Sequence, residues 1–288
     1  MTEWHLDCRG RPLRVGGRTL IMGVINCTPD SFYSASRRRN VCEAVALGRS
    51  LVEEGADLLD VGGESTRPGA EPVSFEEELR RVLPVVKELA DCTDVPISVD
   101  TYKVEVARRA LEAGAHLVND ISGLTFDPSM ANVVAQFDVP VVIMHIKGTP
   151  RDMQKNPFYD DVVAEISDFF RERMAYARSA GIPEENIILD PGIGFGKRLE
   201  DNYEILRRLS QFCEHRRPIL VGPSRKSFIG RVLQLPAEEC LEGTLAAGTA
   251  AVLAGAHILR VHDVQAMKRA AAVADRIKQR TGMPWMTN

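Results

Sequence analysis

No stretch of this chain approaches the roughly 18 to 20 uninterrupted apolar residues of a membrane helix, so a soluble protein is expected. The opening residues MTEWHLDCRGRPLRVGG bring acidic groups early and lack an apolar central run, which argues against a secretory leader. C-x-x-C pairs and other metal-ligand spacings are missing: the six cysteines lie far apart, at 8, 27, 42, 92, 213 and 240. A chain of 288 residues has core enough without disulfides, so reduced thiols and a cytoplasmic location are expected. Strong charge of one sign is absent too. The formal net charge of −4 gives no basic background for nucleic acid, and the cluster Arg37 to Arg39, with no interleaved aromatic beyond Tyr33, reads as a solvated loop. DPGIGFGK carries glycines at 192, 194 and 196 but not the G-x-G-x-x-G spacing, and no acidic residue ends the following strand, which removes a dinucleotide site. No linker, low-complexity stretch or second-domain boundary is visible.

What the chain does have is eight short apolar runs, most of which end in a polar residue capable of chemistry. IMGVIN ends at Asn26, LLDVGGESTRPG reaches Glu64 to Arg67, and PISVDT ends at Asp100 and Thr101. HLVNDISG brings Asn119, VVIMHIKGTP His145, IILDPGIGFGK Asp190, ILVGPSRKS Arg225 and Lys226, and ILRVHD Arg260 and His262. Segments with three- and four-residue apolar spacing alternate with these runs, as in VCEAVALGRSLVEEGA, closed by Gly55. Strict alternation predicts a parallel sheet, and eight repeats predict closure into an α/β (β/α)8 TIM barrel over residues 19–288, after an N-terminal hairpin or tail over 1–18. An open doubly wound sheet is the competing fold. The helix FEEELRRVLPVVKELA is expected to kink or break near Pro84. The small-residue helix EGTLAAGTAAVLAGA suits close packing, against the barrel or against a second subunit.

A barrel gathers the C-terminal ends of its strands into one bowl, so these scattered residues would face a single ligand. Asp100, Asn119 and Asp190 end three different strands. Each could cap the next helix. Together with a nearby lysine they suit a ligand with several donors, because a carboxylate accepts paired N–H bonds and Asn offers a donor beside an acceptor. A heteroaromatic amidine-like edge fits that set. Arg260 and His262 are two apart on one strand and share a face. Arg binds phosphate through paired N–H donors and His can donate to it, so with Asn26 and Ser65 to Arg67 they could form an anion cradle with room for Mg²⁺, which prefers oxygen ligands. A structural ion pair is the other reading of Arg260; position near the last strand favours phosphate.

Read in order, MGVINCTPDSF, DVGGESTRPGA, ISVDT, VNDISG, MHIKGTP, LDPGIGFGK, VGPSRKSFIG, the Gly-Thr at 243–244 and RVHDV resemble the dihydropteroate synthase family from about residue 19 to about 278. The resemblance implies a transferase that joins hydroxymethyl-dihydropterin diphosphate to para-aminobenzoate in folate biosynthesis, releasing pyrophosphate, on a barrel that commonly forms homodimers. It implies that Asp100, Asn119, Asp190 and Lys226 hold the pterin, with Met144, Phe195 and Gly222 lining its slot. Asn26, Arg67, Arg260 and His262 would hold the diphosphate, with Asn26 also near Mg²⁺; Asp100, Lys226, Arg260 and His262 would be the catalytic set. Thr66, Pro68 and Ser224 would form the aminobenzoate side, closed by Phe32, where sulfonamides would compete. One departure stands out. After TPDSF the family usually continues Ser-Asp-Gly-Gly, whereas this chain has Tyr33-Ser34-Ala35-Ser36 and then three arginines, so a carboxylate and two glycines are missing from the loop expected to close over substrate. That loop is the one feature favouring a catalytically impaired pterin-binding sensor or scaffold. A pterin-dependent methyltransferase is a further alternative, but it would not need GGESTRPGA, the RKSFIG block or the RVHD segment.

Overall fold

The computed structural model describes residues 3–28, 37–67 and 69–278; Phe32, Pro68 and the altered stretch Tyr33 to Ser36 lie outside them. Two short strands, β1 (Trp4–Cys8) and β2 (Arg11–Val15), pair antiparallel with Trp4 opposite Val15. Their apolar residues alternate: Leu6, Cys8, Leu13 and Val15 are buried. These four pack with Leu20, Met22, Leu58, Leu117, Val142, Ile188, Leu220 and Ile258 in one cluster that fills the N-terminal end of the strand array. Full burial of such side chains contributes roughly 1.5–3 kcal/mol each, so the hairpin is an integral floor rather than a loose tail.

Eight parallel strands follow: β3 (Leu20–Asn26), β4 (Leu58–Gly62), β5 (Ile97–Asp100), β6 (Leu117–Asp120), β7 (Val141–Met144), β8 (Ile187–Asp190), β9 (Leu220–Val221) and β10 (Ile258–Val261). Their order is β8-β7-β6-β5-β4-β3-β10-β9, and a parallel bridge between Leu189 and Ile219 joins the two ends, closing the barrel. Between them run α1 (Arg37–Glu53), α2 (Phe75–Cys92), α3 (Val104–Glu112), α4 (Ser129–Phe137), α5 (Val162–Ser179) and α6 (Leu199–Arg207). The segment after β9 holds two helices, α7 (Ser227–Leu233) and α8 (Leu241–Leu253), and α9 (Val264–Lys278) follows β10.

Side chains alternate across each strand. Leu59, Val61, Val99, Val118, Ile143, Leu189, Val221 and Leu259 pack outward in the cluster shared with the helices. The intervening positions face the barrel interior, and toward the C-terminal ends they turn polar. Two expectations are corrected. Arg37 to Arg39 form the first turn of α1 rather than a loop, consistent with the good helix propensity of arginine. Pro84 lies inside one unbroken α2: Ser74 Oγ accepts from Glu77 N–H at 3.3 Å and buried Val82, Val85, Val86 and Leu89 hold both sides of the proline in place.

Candidate active site

Cross-strand register lines up the rim. Asn26 pairs with Gly62, Gly62 with Asp100, Asp100 with Asn119, and Met144 with Asp190. None of Asp100, Asn119 or Asp190 caps a helix, because the N-caps of α3, α4 and α6 are Lys103, Pro128 and Arg198. Instead, Arg260 donates from Nη2 to Asp100 Oδ2 at 2.7 Å and from Nε to Asp60 Oδ2 at 2.6 Å. The same Asp60 oxygen accepts from Asn119 Nδ2 at 3.1 Å. Asp60 is fully buried, and Asp60, Asp100, Asn119 and Arg260 form a single network across four strands. Burial, Asp60 and Glu78 push the Asp100 carboxyl up in spite of Arg260. Burial works against the Arg260 charge, yet Asp60 and Asp100 outweigh it and hold the guanidinium protonated. The other oxygen of each carboxylate, Asp60 Oδ1 and Asp100 Oδ1, is buried without a hydrogen-bond partner among the described residues. Unpaired buried acceptors are costly. Asp100 Oδ1, at the open end of the barrel, is an acceptor awaiting a donor.

A second group stands opposite. Asp190 accepts from Gly192 N–H at 2.7 Å, and its carboxyl is pushed up by burial against the pull of Lys226. Lys226 donates to the Ile193 carbonyl and lies over the Phe195 ring at 4.6 Å. Burial lowers the Lys226 pKa to about 8. Gly222 leaves room here: a Cβ would stand 3.7 Å from both Lys226 Nζ and Arg260 Cβ. Met144 is buried beside this group at the end of β7. Gly192, Gly194 and Gly196 all have positive φ, and a Cβ on Gly192 would fall 2.0 Å from the His145 carbonyl oxygen. Only glycine fits there.

On the third side Ser224 Oγ accepts from the His262 backbone N–H at 3.2 Å and shares a hydrogen bond with His262 Nδ1 at 2.9 Å. Burial and the charges of Arg260 and Arg225 bring the His262 pKa down to about 4, which favours the neutral ring. Arg225 itself turns away, paired with Asp263 at 2.6 Å and 3.1 Å. Thr66 is half-buried and Arg67 exposed on the loop after β4, and the charge of Arg67 also bears on His262. Among the described residues no group of three or more His, Cys, Asp or Glu is placed to hold a metal ion. A cavity of about 530 Å³ lies away from this rim, against the β1–β2 hairpin and the start of β3, where Arg18 and Asp57 already satisfy each other.

The chain that builds this site is similar to known proteins over most of its length. The model of the pterin-binding enzyme family matches residues 22–262. A dihydropteroate synthase of Synechocystis is 48% identical over 261 residues, 90% of each chain. The chain belongs to the dihydropteroate synthase family. Among solved structures, the Xanthomonas albilineans dihydropteroate synthase with 4-aminobenzoic acid superposes with a TM-score of 0.91 at 46% identity, covering 98% of this chain and all of that one. The Yersinia pestis enzyme in complex with a sulfonamide drug gives 0.89 at 42% identity, covering 95% and 99%.

As a dihydropteroate synthase the chain is a transferase of folate biosynthesis, and its barrel holds two residues that sequence reasoning passed over, Asp60 and Lys197, the latter beside the His145 that the sequence did point to. Asp60 sits inside the apolar run LLDVGG, two residues before the strand end. Period-two alternation counted back from Gly62 was the signal that could have found it. His145 and Lys197 are buried together behind the Gly192–Gly196 turn of the synthase, and nothing in their spacing announced the pairing.

Proposed function

We propose that the bowl joins hydroxymethyl-dihydropterin diphosphate to para-aminobenzoate, with each group acting where its chemistry fits. The observation that carries this reading is the buried, unpartnered Asp100 Oδ1 beside a network that fixes Asn119, Arg260 and Asp60. An amidine-like pterin edge supplies the N–H donors such acceptors lack. Asp100, Asn119 and Asp190 accept and donate along that edge, Lys226 donates to the ring carbonyl, and Met144, Phe195 and Gly222 form the slot walls. Arg260 has donors beyond the two it gives to Asp60 and Asp100. With Asn26, Arg67 and neutral His262 it faces the diphosphate. Thr66 and Ser224 border the aminobenzoate; Pro68 and Phe32, which the family resemblance assigns to the same side, lie outside the described residues.

The reaction breaks the bond between the pterin methylene carbon and the diphosphate oxygen, whose electron pair leaves on pyrophosphate. The amine nitrogen bonds to that carbon and gives up one proton. An aromatic amine is a weak nucleophile, so departure of the leaving group dominates and the transition state is dissociative. Arg260 and His262 stabilise charge growing on the leaving oxygens, and Asp100 stabilises positive charge spreading into the pterin. Asn26 offers an amide oxygen but no cluster of anionic ligands accompanies it among the described residues, which suits a Mg²⁺ that arrives with the diphosphate and keeps several waters rather than a resident ion. When bound, Mg²⁺ supplies further charge neutralisation on the leaving group.

A sulfonamide resembles aminobenzoate, fits its side of the bowl and competes there; the Yersinia pestis relative is solved in complex with a sulfonamide drug. The exposed apolar residues Val232, Leu233, Leu235 and Leu253 on and around α7 and α8 support a homodimer through that face. Six free cysteines support a reducing, cytoplasmic setting, and no helix among the described residues is long and apolar enough to cross a membrane. Binding tests the assignment directly. A pterin diphosphate titrated into the wild type and into Asp100→Asn should bind at least about tenfold more weakly to the variant, which loses a charged acceptor. Equal affinity would remove Asp100 from the pterin site.

A further inference from the structure

The turn from Asp190 to Lys197 is tied down atom by atom. Gly192 N–H bonds Asp190 Oδ1 at 2.7 Å, Gly194 N–H bonds Asn202 Oδ1 at 2.6 Å and Phe195 N–H bonds the Gly192 carbonyl at 3.0 Å. Of its carbonyls, Ile193 accepts from Lys226, Gly194 from Gln154 Nε2 at 2.8 Å and Gly196 from Tyr159 Oη at 2.7 Å. The Phe195 carbonyl accepts from Lys197.

Lys197 is 2% exposed; its Nζ donates to the His145 carbonyl at 3.0 Å and to the Phe195 carbonyl at 3.0 Å and shares a hydrogen bond with His145 Nδ1 at 2.8 Å. Burial pushes the Lys197 pKa well below the usual lysine range, and all three of these polar contacts are made within the protein frame. Its position is therefore fixed by β7 on one side and by the turn on the other. The His145 backbone closes the frame, its N–H bonding the Asp190 carbonyl at 3.0 Å. His145 in turn packs edge-on against Phe169, with ring centroids 4.9 Å apart. Phe195 and the Ile193 carbonyl are the two features that Lys226 touches. A buried lysine carrying a desolvation cost is retained just where it sets both.

We propose that Lys197, oriented by His145, is a positioning residue for the pterin half of the reaction: it fixes the turn that presents Phe195 and the Ile193 carbonyl, and so holds Lys226 and Asp190 at the spacing that grips the pterin ring. This inference rests on the pterin-binding reading given above. Neither residue touches the aminobenzoate side formed by Thr66 and Ser224, so the two substrates should respond differently to their loss.

The test uses the full chain with Lys197→Met, close to lysine in size but without donors, His145→Leu, and His145→Asn, whose amide oxygen can take the place of Nδ1. Each is followed by pterin diphosphate titration, by initial rates at varied pterin diphosphate and at varied para-aminobenzoate, and by thermal melting. Small displacements at such sites cost up to about a hundredfold. Lys197→Met and His145→Leu should weaken pterin binding by about 10- to 100-fold, with the KM for aminobenzoate at saturating pterin changed less than about threefold. His145→Asn should recover most of the affinity. Pterin affinity unchanged in Lys197→Met, or both substrates weakened alike in a variant that melts as the wild type does, would overturn the proposal. If Lys197→Met fails to fold, the difference between His145→Leu and His145→Asn decides: equal pterin affinity in the two overturns it. A wild type that binds no pterin diphosphate would instead sink the functional reading beneath it.

Discussion

Asp60→Asn isolates the network beneath the rim. The side chain keeps its shape, but the carboxylate oxygen that now accepts from both Arg260 Nε at 2.6 Å and Asn119 Nδ2 at 3.1 Å becomes half of a neutral amide. Hydrogen bonds to charged groups contribute about 1.5–3 kcal/mol, and removing one partner of a buried ion pair costs about 3–5 kcal/mol. Arg260 keeps Asp100 as a partner at 2.7 Å, which places the loss at the lower end, about 2–3 kcal/mol. Urea unfolding of the substrate-free protein should show that loss directly, with a melting temperature lower by about 4–6 °C. Arg260 and Asn119 both lose their alignment, so kcat/KM for the pterin substrate should fall by about 30- to 150-fold, the same free energy read at about 1.4 kcal/mol per decade. Initial-rate pyrophosphate release at subsaturating pterin diphosphate measures it. A variant with wild-type melting and kcat/KM within about twofold of the parent would refute the claim that Asp60 organises the site.

Charge on Lys226 gives the site a pH limit. Burial brings its pKa down to about 8, so the protonated form is lost as pH rises through that value. The kcat/KM for pterin diphosphate, which reports the free enzyme, should decline above about pH 8, and in Lys226→Arg that decline should be absent; a flat wild-type profile up to pH 10 would contradict it. Removing divalent cations with EDTA should abolish turnover, and added Mg²⁺ should restore it, while the melting temperature of the substrate-free protein stays within about 1 °C because the ion comes with the diphosphate. A large melting shift on chelation alone would point to a resident metal.

Much of this was legible in the chain, and the residues show why. Asp100, Asn119, Met144, Asp190, Gly222 and Arg260 each sit at the end of an apolar run, and a parallel barrel converts that one-dimensional position into a shared rim. The hairpin's alternation of Leu6 with Cys8 and Leu13 with Val15 had the strand period, but its polar, glycine-rich surroundings left a tail equally open. Asp60 was hidden by its own neighbours, since a carboxylate inside an apolar run reads as strand interior until its inward face is counted. Lys197 and His145 lie 52 positions apart and meet only because neighbouring strands bring two loops together. Short-range pattern carries no signal for such contacts. Arg37 to Arg39 misled in the opposite direction, because a basic cluster beside a loop motif can equally open a helix. Phe32 and the stretch Tyr33 to Ser36, where the chain departs from its family, lie outside the described residues.

Pyrophosphate release from the purified protein with hydroxymethyl-dihydropterin diphosphate and Mg²⁺, with and without para-aminobenzoate and a sulfonamide, bears most directly on the assignment. The site described here requires release that depends on the amine, yields dihydropteroate, and is suppressed by the sulfonamide in competition with para-aminobenzoate. Tight pterin binding with no amine-dependent release would contradict it and make the chain a pterin-binding protein without the synthase reaction.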